Sequence, residues 1–442
     1  MVRAMQWANP KERREMGQAH RKQMGRSEHA ELNIKARKED PLALLARQAR
    51  GRVPELVKLK YALMADSPFG YFRGAVPVMA ADLAALKNAG IISQLCGDAH
   101  VRNVGAFGAP DGRLVFDIND FDETIRGPFE WDLKRMAASL TLAGRGAGQK
   151  AANIRQAVEE CLEHYCVQMR EFAGMPMLEM AHFQVHRISR VEPVHMALQK
   201  AERATPLHTL EQLTEPVSEK PGAARRFKTI KPLLTRVNRA KAEEVLASLK
   251  PYLKTLEPQR QHLLSFYRPV DVAFKVVGTG SVGLRDYCIY FEGNGELDPL
   301  FLQIKEEPAS GYASYLPKAR PPAHNGKRAA QGQRAMQIQS DPFLGWTQMG
   351  GRDYLVRQLN DHKGSIELDD LAGAGLTAFG ELCGELLARG HARSSDPLVI
   401  AGYLGAGDGF AEALGKFGAA YADQTEKDWE ELKRAQKTAK KS

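Results

Sequence analysis

Two short runs carry residue types suited to handling a charged group. The first is Cys96-Gly97-Asp98-Ala99-His100-Val101-Arg102-Asn103, and the second is Asp117-Ile118-Asn119-Asp120-Phe121-Asp122-Glu123. An Asp and an Asn five residues apart, on a tight loop after a strand, can face opposite sides of one bound group. A further carboxylate enters from the next hairpin. Phosphoryl transfer needs such a set: one carboxylate to orient the attacking hydroxyl and two oxygen ligands for magnesium. Magnesium takes hard oxygen donors and keeps water and phosphate as its other ligands, so Asn plus Asp suffices from the protein. The alternative is that Asp98 and Asp120 are turn residues bonded to local backbone, the commonest use of Asp. One loop alone would favour that alternative; the second carboxylate run reverses the balance.

A second constellation is Val277-Gly278-Thr279-Gly280-Ser281-Val282-Gly283-Leu284, followed by Gln303-Ile304-Lys305-Glu306. A lone GxGxxG suits a dinucleotide fold or a loop over nucleotide phosphates. A dinucleotide site wants a helix of small residues after the third glycine. Here LRDYCIYFEGNGELDPLFLQIKEE continues as strand, Asn-Gly turn and strand. That makes a β-hairpin whose glycine tip can lie over phosphates, with Lys305 on the next strand to pair with them. A plain glycine-rich hairpin with a surface lysine fits these residues equally well.

The elements that must position these residues divide the chain into four stretches. Residues 1–40 are polar and basic, and read as an arm or exposed helix. Residues 41–265 read as a helical lobe with the two carboxylate loops. SPFGYFRG (67–74) reads as an aromatic turn, and Ile91–Leu95 and Leu114–Ile118 as strands joined by the turn at Pro110–Gly112. Residues 266–362 read as β-rich, with strands at Val272–Val277, Tyr287–Phe291, Phe301–Lys305 and Tyr354–Leu359. Residues 363–442 return to helix and end in a lysine-rich tail.

Charge and cysteine content bound the partners. The chain has 442 residues, 62 Lys+Arg against 53 Asp+Glu, and five cysteines. Residues 1–60 hold 15 Lys/Arg against 7 Asp/Glu, Lys220–Lys241 hold eight basic and no acidic residues, and Leu432–Ser442 hold five and none. The excess is peripheral and the body is net acidic. Solvated faces account for it better than a nucleic-acid site. An odd, scattered set of cysteines speaks against a disulfide framework and, with no apolar leader, for the cytoplasm. No run reaches the roughly 18 apolar residues a membrane span needs.

The two constellations together resemble the protein-kinase-like superfamily, most closely its aminoglycoside- and choline-phosphotransferase branch. CGDAHVRN is similar to that branch's HGDxHxxN loop, with Cys96 in place of the first His; NDFDET is similar to IDFGDA, with Asp122 at the glycine. GPFEWDLKRMA resembles the next helix start, whose Asp (here Asp132) braces the loop. The resemblance implies Asp98 as catalytic base or hydroxyl-orienting residue, and Asn103 and Asp120 as magnesium ligands with Asp122 beside them. It implies Lys305 as the phosphate-pairing lysine and a nucleotide lid of Gly278, Thr279, Gly280, Ser281 and Gly283, with 354–359 leading into the hinge beside adenine. SPFGYFRGA, CGDAHVRNVG, FDINDFDET, FKVVGTGSVG, LQIKE and VRQLND resemble, over roughly residues 40–430, a bacterial family of unknown function with a kinase-like fold.

The expectation is therefore an α+β, protein-kinase-like, two-lobed fold, with a small antiparallel β-rich lobe and a larger helical one. The glycine loop follows the catalytic loop, so the order is circularly permuted, with Leu371–Arg393 resembling the helix that normally precedes that loop. The expected activity is ATP- and magnesium-dependent phosphoryl transfer to a hydroxyl of a small molecule, a protein acceptor being open. The helix after Lys305, NGKRAAQGQRAMQ, has no Asp or Glu, leaving Gln331, Gln333 or Glu306 as its partner. Alternatives are nucleotidyl transfer, a nucleotide-binding pseudokinase or scaffold, and a nucleic-acid-associated protein acting through basic ends. Among other candidates, Cys161 and His164 read as core, His100 as a loop hydrogen bond, Trp429 as packing, and Arg73 as an anion contact or a loop cap.

Overall fold

Apolar runs at 268–306 and 345–358 assemble into one antiparallel sheet in the computed structural model. It describes residues 8–184, 191–220, 223–359, 363–371, 373, 375–407 and 409–439. The sheet strands are β5 (Leu234–Arg236), β6 (Arg268–Lys275), β7 (Asp286–Glu292), β8 (Pro299–Glu306), β9 (Gly345–Met349) and β10 (Arg352–Gln358), in the order β9-β10-β8-β7-β6-β5. β7 and β8 read as continuous apolar runs because both of their faces are covered. Tyr287, Ile289, Leu302, Ile304 and Val356 pack on one side with Tyr252, and Cys288, Tyr290 and Phe301 on the other with Phe227. Strand alternation then places Lys305, which pairs in register with Asp286, on the second face together with Gln303.

A helical body forms around α4 (Glu130–Gly146), α5 (Ala151–Gly174), α7 (Gly375–Ser394), α8 (Pro397–Leu404) and α9 (Phe410–Ala439). Earlier in the chain come α1 (Pro10–Gln23), α2 (Pro54–Asp66), α3 (Pro68–Gly74) and four short strands. These are β1 (Ile92–Leu95), β2 (Val104–Gly108), β3 (Leu114–Ile118) and β4 (Ile125–Pro128). One large apolar cluster, from Phe69 to Ala422, holds this body together. No helix among the described residues is long and apolar enough to cross a membrane.

Several readings of the sequence need correction. SPFGYFRG is a helix: Pro68 takes the first helical position and Ser67 caps it by accepting from the Gly70 N–H at 3.0 Å. The turn at Pro110–Gly112 joins β2 to β3, whereas β1 pairs with β4. The basic stretch 220–241 supplies β5, so the sheet begins before residue 266. Past residue 363 the chain first adds a short strand, β11 (Gly364–Ser365), against β2. The hinge expected after Leu359 falls on residues 360–362, outside the described residues, as do residues 1–7 and the lysines at 440 and 441.

The stretch read as an arm or exposed helix forms, from Pro10, a largely exposed helix that is docked on the body. α1 is opened by a capping box of Asn9 and Glu12 and lies on α8, where Arg13 forks onto Asp396 at 2.6 and 2.7 Å. Backbones meet there because Gly17 and Gly402 have no side chain: a Cβ on Gly17 would sit 2.0 Å from Val399 O. Gly17→Val is expected to lower the unfolding free energy by about 1–3 kcal/mol through overpacking. An unchanged urea midpoint would show that α1 contributes nothing to the fold.

Candidate active site

The loop between β1 and β2 is held by α4. Gly97 takes φ +84°, and a Cβ there would lie 2.2 Å from Glu123 O, so this turn and the next loop can approach only through glycine. Asp132 on α4 accepts from the N–H groups of Cys96 at 2.8 Å and Gly97 at 3.0 Å, and His391 Nε2 of α7 stands 3.4 Å from the same carboxylate. The Val101 N–H donates to Ser139 Oγ at 3.0 Å. Both turns of the loop are therefore fixed to one buried helix.

Asp98 at the centre of the loop meets Arg135, whose Nε lies 2.7 Å from Oδ1. Arg135 also donates to Phe72 O at 3.1 Å and lies over the Phe72 ring. Burial raises the Asp98 pKa to about 6 in spite of Arg135, with Glu123 and Asp120 adding to the rise. His100 is buried, and burial with the charges of Arg73, Arg135 and Arg102 pushes its pKa well down. Its Nδ1 accepts from the Arg102 N–H at 3.2 Å, which leaves Nε2–H facing Asp98 Oδ2 at 3.6 Å. Asn103 Nδ2 donates to Asp98 O at 2.9 Å, committing the amide nitrogen and leaving the oxygen for a ligand.

Across the cleft, Lys305 Nζ contacts Asp122 Oδ2, which also accepts from Ser281 Oγ at 3.0 Å. Burial favours a neutral Asp122, but Lys305 and then Arg357 outweigh it and hold the carboxyl below the usual range. Burial likewise disfavours the Lys305 charge, and Asp120 and Asp122 more than restore it. Gln331, Gln333 and Glu306 do not partner Lys305. Gln331 is exposed, Gln333 bonds Gln337 at 3.0 Å, and Glu306 binds Arg352 at 2.8 Å and Arg285 at 3.0 Å. The partner is Asp122, and α6 (Asn325–Met336) offers Arg328 instead of an acid, donating to Thr124 O at 2.7 Å.

The glycine loop caps the same cleft and is fastened from residues 52–73. Val53 N–H donates to Gly283 O at 2.7 Å, Arg52 Nη1 to Val282 O at 2.6 Å, Lys60 Nζ to Gly280 O at 3.1 Å and Arg73 Nη1 to Thr279 Oγ1 at 3.4 Å. Asp98, Asn103, Asp120, Asp122, Gly278, Gly280 and Ser281 line the resulting cleft. Lys305 reaches it through Asp122, and Thr279 through Arg73; Gly283 instead faces Val53 behind the loop.

Sequence reasoning passed over Arg135, Arg52 and Lys60. For Lys60 a signal was available: it lies four residues before Met64 on α2, and both are fully buried, so a lysine stood at an apolar-face position. Cys161 and His164 do not act together. Cys161 is a buried free thiol, while His164 lies between Glu160 and Glu381.

The residues present fit a magnesium ion by donor type. Asn103, Asp120 and Asp122 supply oxygens only, and Asp122 Oδ1 is buried with no hydrogen-bond partner. Fold and site thus define a helix-rich mixed α/β protein in which an antiparallel sheet meets a helical body over a cleft of carboxylates, a lysine and a glycine loop. The chain belongs to the family described as uncharacterized protein conserved in bacteria (DUF2252), whose model matches residues 52–435. No curated protein and no solved structure matches it.

Proposed function

We propose that this protein is an ATP- and magnesium-dependent phosphotransferase with a circularly permuted kinase-like fold, acting on a hydroxyl of a small molecule. The observation that carries the reading is the contact of Lys305 with Asp122 beneath the glycine loop. It joins segments 183 residues apart into one cleft that also holds Asp98, Asn103 and Asp120. In this reading Asp98 accepts the proton of the attacking hydroxyl. The acceptor oxygen bonds to the terminal phosphorus, the bond from that phosphorus to the bridging oxygen breaks, and the nucleoside diphosphate leaves. Lys305 pairs with the phosphates once it is released from Asp122. Magnesium, bound through Asn103, Asp120 and Asp122, would neutralise charge on the phosphate oxygens.

A thermal-shift titration tests this directly. Mg-ATP is expected to raise the melting temperature of the native protein, and Asp120→Ala to abolish the magnesium-dependent part. Absence of any magnesium-dependent shift in the native protein would sink the reading. A second reading, nucleotide binding without turnover, is favoured by Lys305 pairing with Asp122 in place of a helix carboxylate. Labelled ATP separates these, and shows whether the terminal phosphate or the nucleotide moiety moves.

A further inference from the structure

Arg73 has no part in the reading above, yet it lies between that reading's two halves. It lines the cleft beside Asp98 and Asp120, and its only hydrogen bond among the described residues crosses to Thr279 of the glycine loop, at a long 3.4 Å. Its Nε is buried without a partner, and no carboxylate among the described residues lies within ion-pair distance. Burial and Arg102 push its pKa down while the more distant Asp98, Asp120 and Glu367 pull it up. A part-buried guanidinium whose Nε is shut off from water without a partner costs stability unless an anion takes it. Arg135 is committed to Asp98, and Lys305 is held by Asp122 until the phosphates draw it away. Arg73 is thus a cation of the cleft with donors left to meet a charged group placed between Asp98 and the loop, whereas Arg52, which also lines it, gives its Nη1 to Val282 O.

We propose that Arg73 is a catalytic residue that grips the terminal, transferred phosphoryl group. Resting on the phosphotransferase reading, it assigns the non-bridging oxygens of that group to a guanidinium delivered by α3. Arg73 exchanges no proton and forms no covalent bond; it offsets charge on the non-bridging oxygens, which stay on the phosphorus while that phosphorus exchanges the bridging oxygen for the acceptor oxygen.

The test is calorimetric binding of Mg-ATP, Mg-ADP, tripolyphosphate and pyrophosphate to the full chain. Arg73→Ala is expected to weaken ATP and tripolyphosphate roughly 10- to 150-fold, the span of a charged hydrogen bond. ADP and pyrophosphate should change little, and Arg73→Lys should recover part of the loss. Thr279→Val, at a lid position, removes the loop contact and should shift ATP and ADP affinity alike, leaving their ratio unchanged. Arg73→Gln serves where the alanine variant fails to fold. Equal losses for ATP and ADP, or a Thr279→Val variant that reproduces Arg73→Ala, would overturn the proposal in favour of a loop tether. Arg73-dependent tripolyphosphate binding without Mg-ATP binding would support the anion grip and sink the nucleotide reading. Binding of none of the four would overturn both.

Discussion

Replacing Asp98 by Asn is expected to cut phosphoryl transfer by roughly 10²–10⁴, the usual contribution of a general base, with little change in Mg-ATP affinity. The amide keeps the size of the side chain and an oxygen for Arg135, so the loop geometry survives while the proton acceptor is lost. The pH profile carries a second signature. With a pKa of about 6 in the fold, Asp98 is protonated below that value, so turnover should rise through pH 6 and level off above it. The sign for stability is opposite. The carboxyl binds its proton more tightly folded than at the ordinary 3.8, so its contribution is greatest below 3.8 and declines as pH rises toward 6. Turnover by Asp98→Asn within threefold of the native rate, or an acid limb nearer pH 4, would remove Asp98 from the base role.

The largest loss of stability is expected from Asp132→Ala. The substitution strips the acceptor from two buried N–H groups at once, those of Cys96 and Gly97. Each orphaned donor costs about 1–3 kcal/mol, so the pair takes a large part of the 5–15 kcal/mol that typical domains possess. Asp132→Asn retains one acceptor oxygen and should fall between the two. Urea unfolding gives the ranking. An alanine variant as stable as the native chain would mean that the loop is fixed by Ser139 and Gly97 alone.

The outline of the fold was legible where local chemistry decides it. Leu114–Ile118 follows a Pro-Asp-Gly turn, and the strand lies where that turn and its apolar run put it. β7 and β8 were recognisable from β-branched and aromatic residues around a Gly-Asn-Gly turn. SPFGYFRG misled because proline and glycine usually punctuate. Here Pro68 starts a helix, and Gly74 is small because the Met64 side chain occupies the space a Cβ would take, 2.5 Å away. The docking of α1 was hidden because two glycines, Gly17 and Gly402, and the Arg13–Asp396 pair make the contact rather than an apolar stripe. The partner of Lys305 was sought in the next helix, whereas it lies 183 residues upstream. Arg135 looked like an ordinary helix residue in LKRMA; only the return of the chain past Asp98 gives it a counter-ion.

The seating of α1 on α8 bears on how the chain is made. Arg13 and its partner Asp396 are 383 residues apart. At about 5–20 residues per second a ribosome takes roughly 20–75 s to make that interval. During that interval the first helix lacks the surface it rests on. The braces of the carboxylate loops come equally late: His391 for Asp132, and Arg389 for Asp117. Synthesis therefore delivers these carboxylates 259 and 272 residues ahead of their supports, so the nascent chain should be client to a holding chaperone until α7 and α8 emerge.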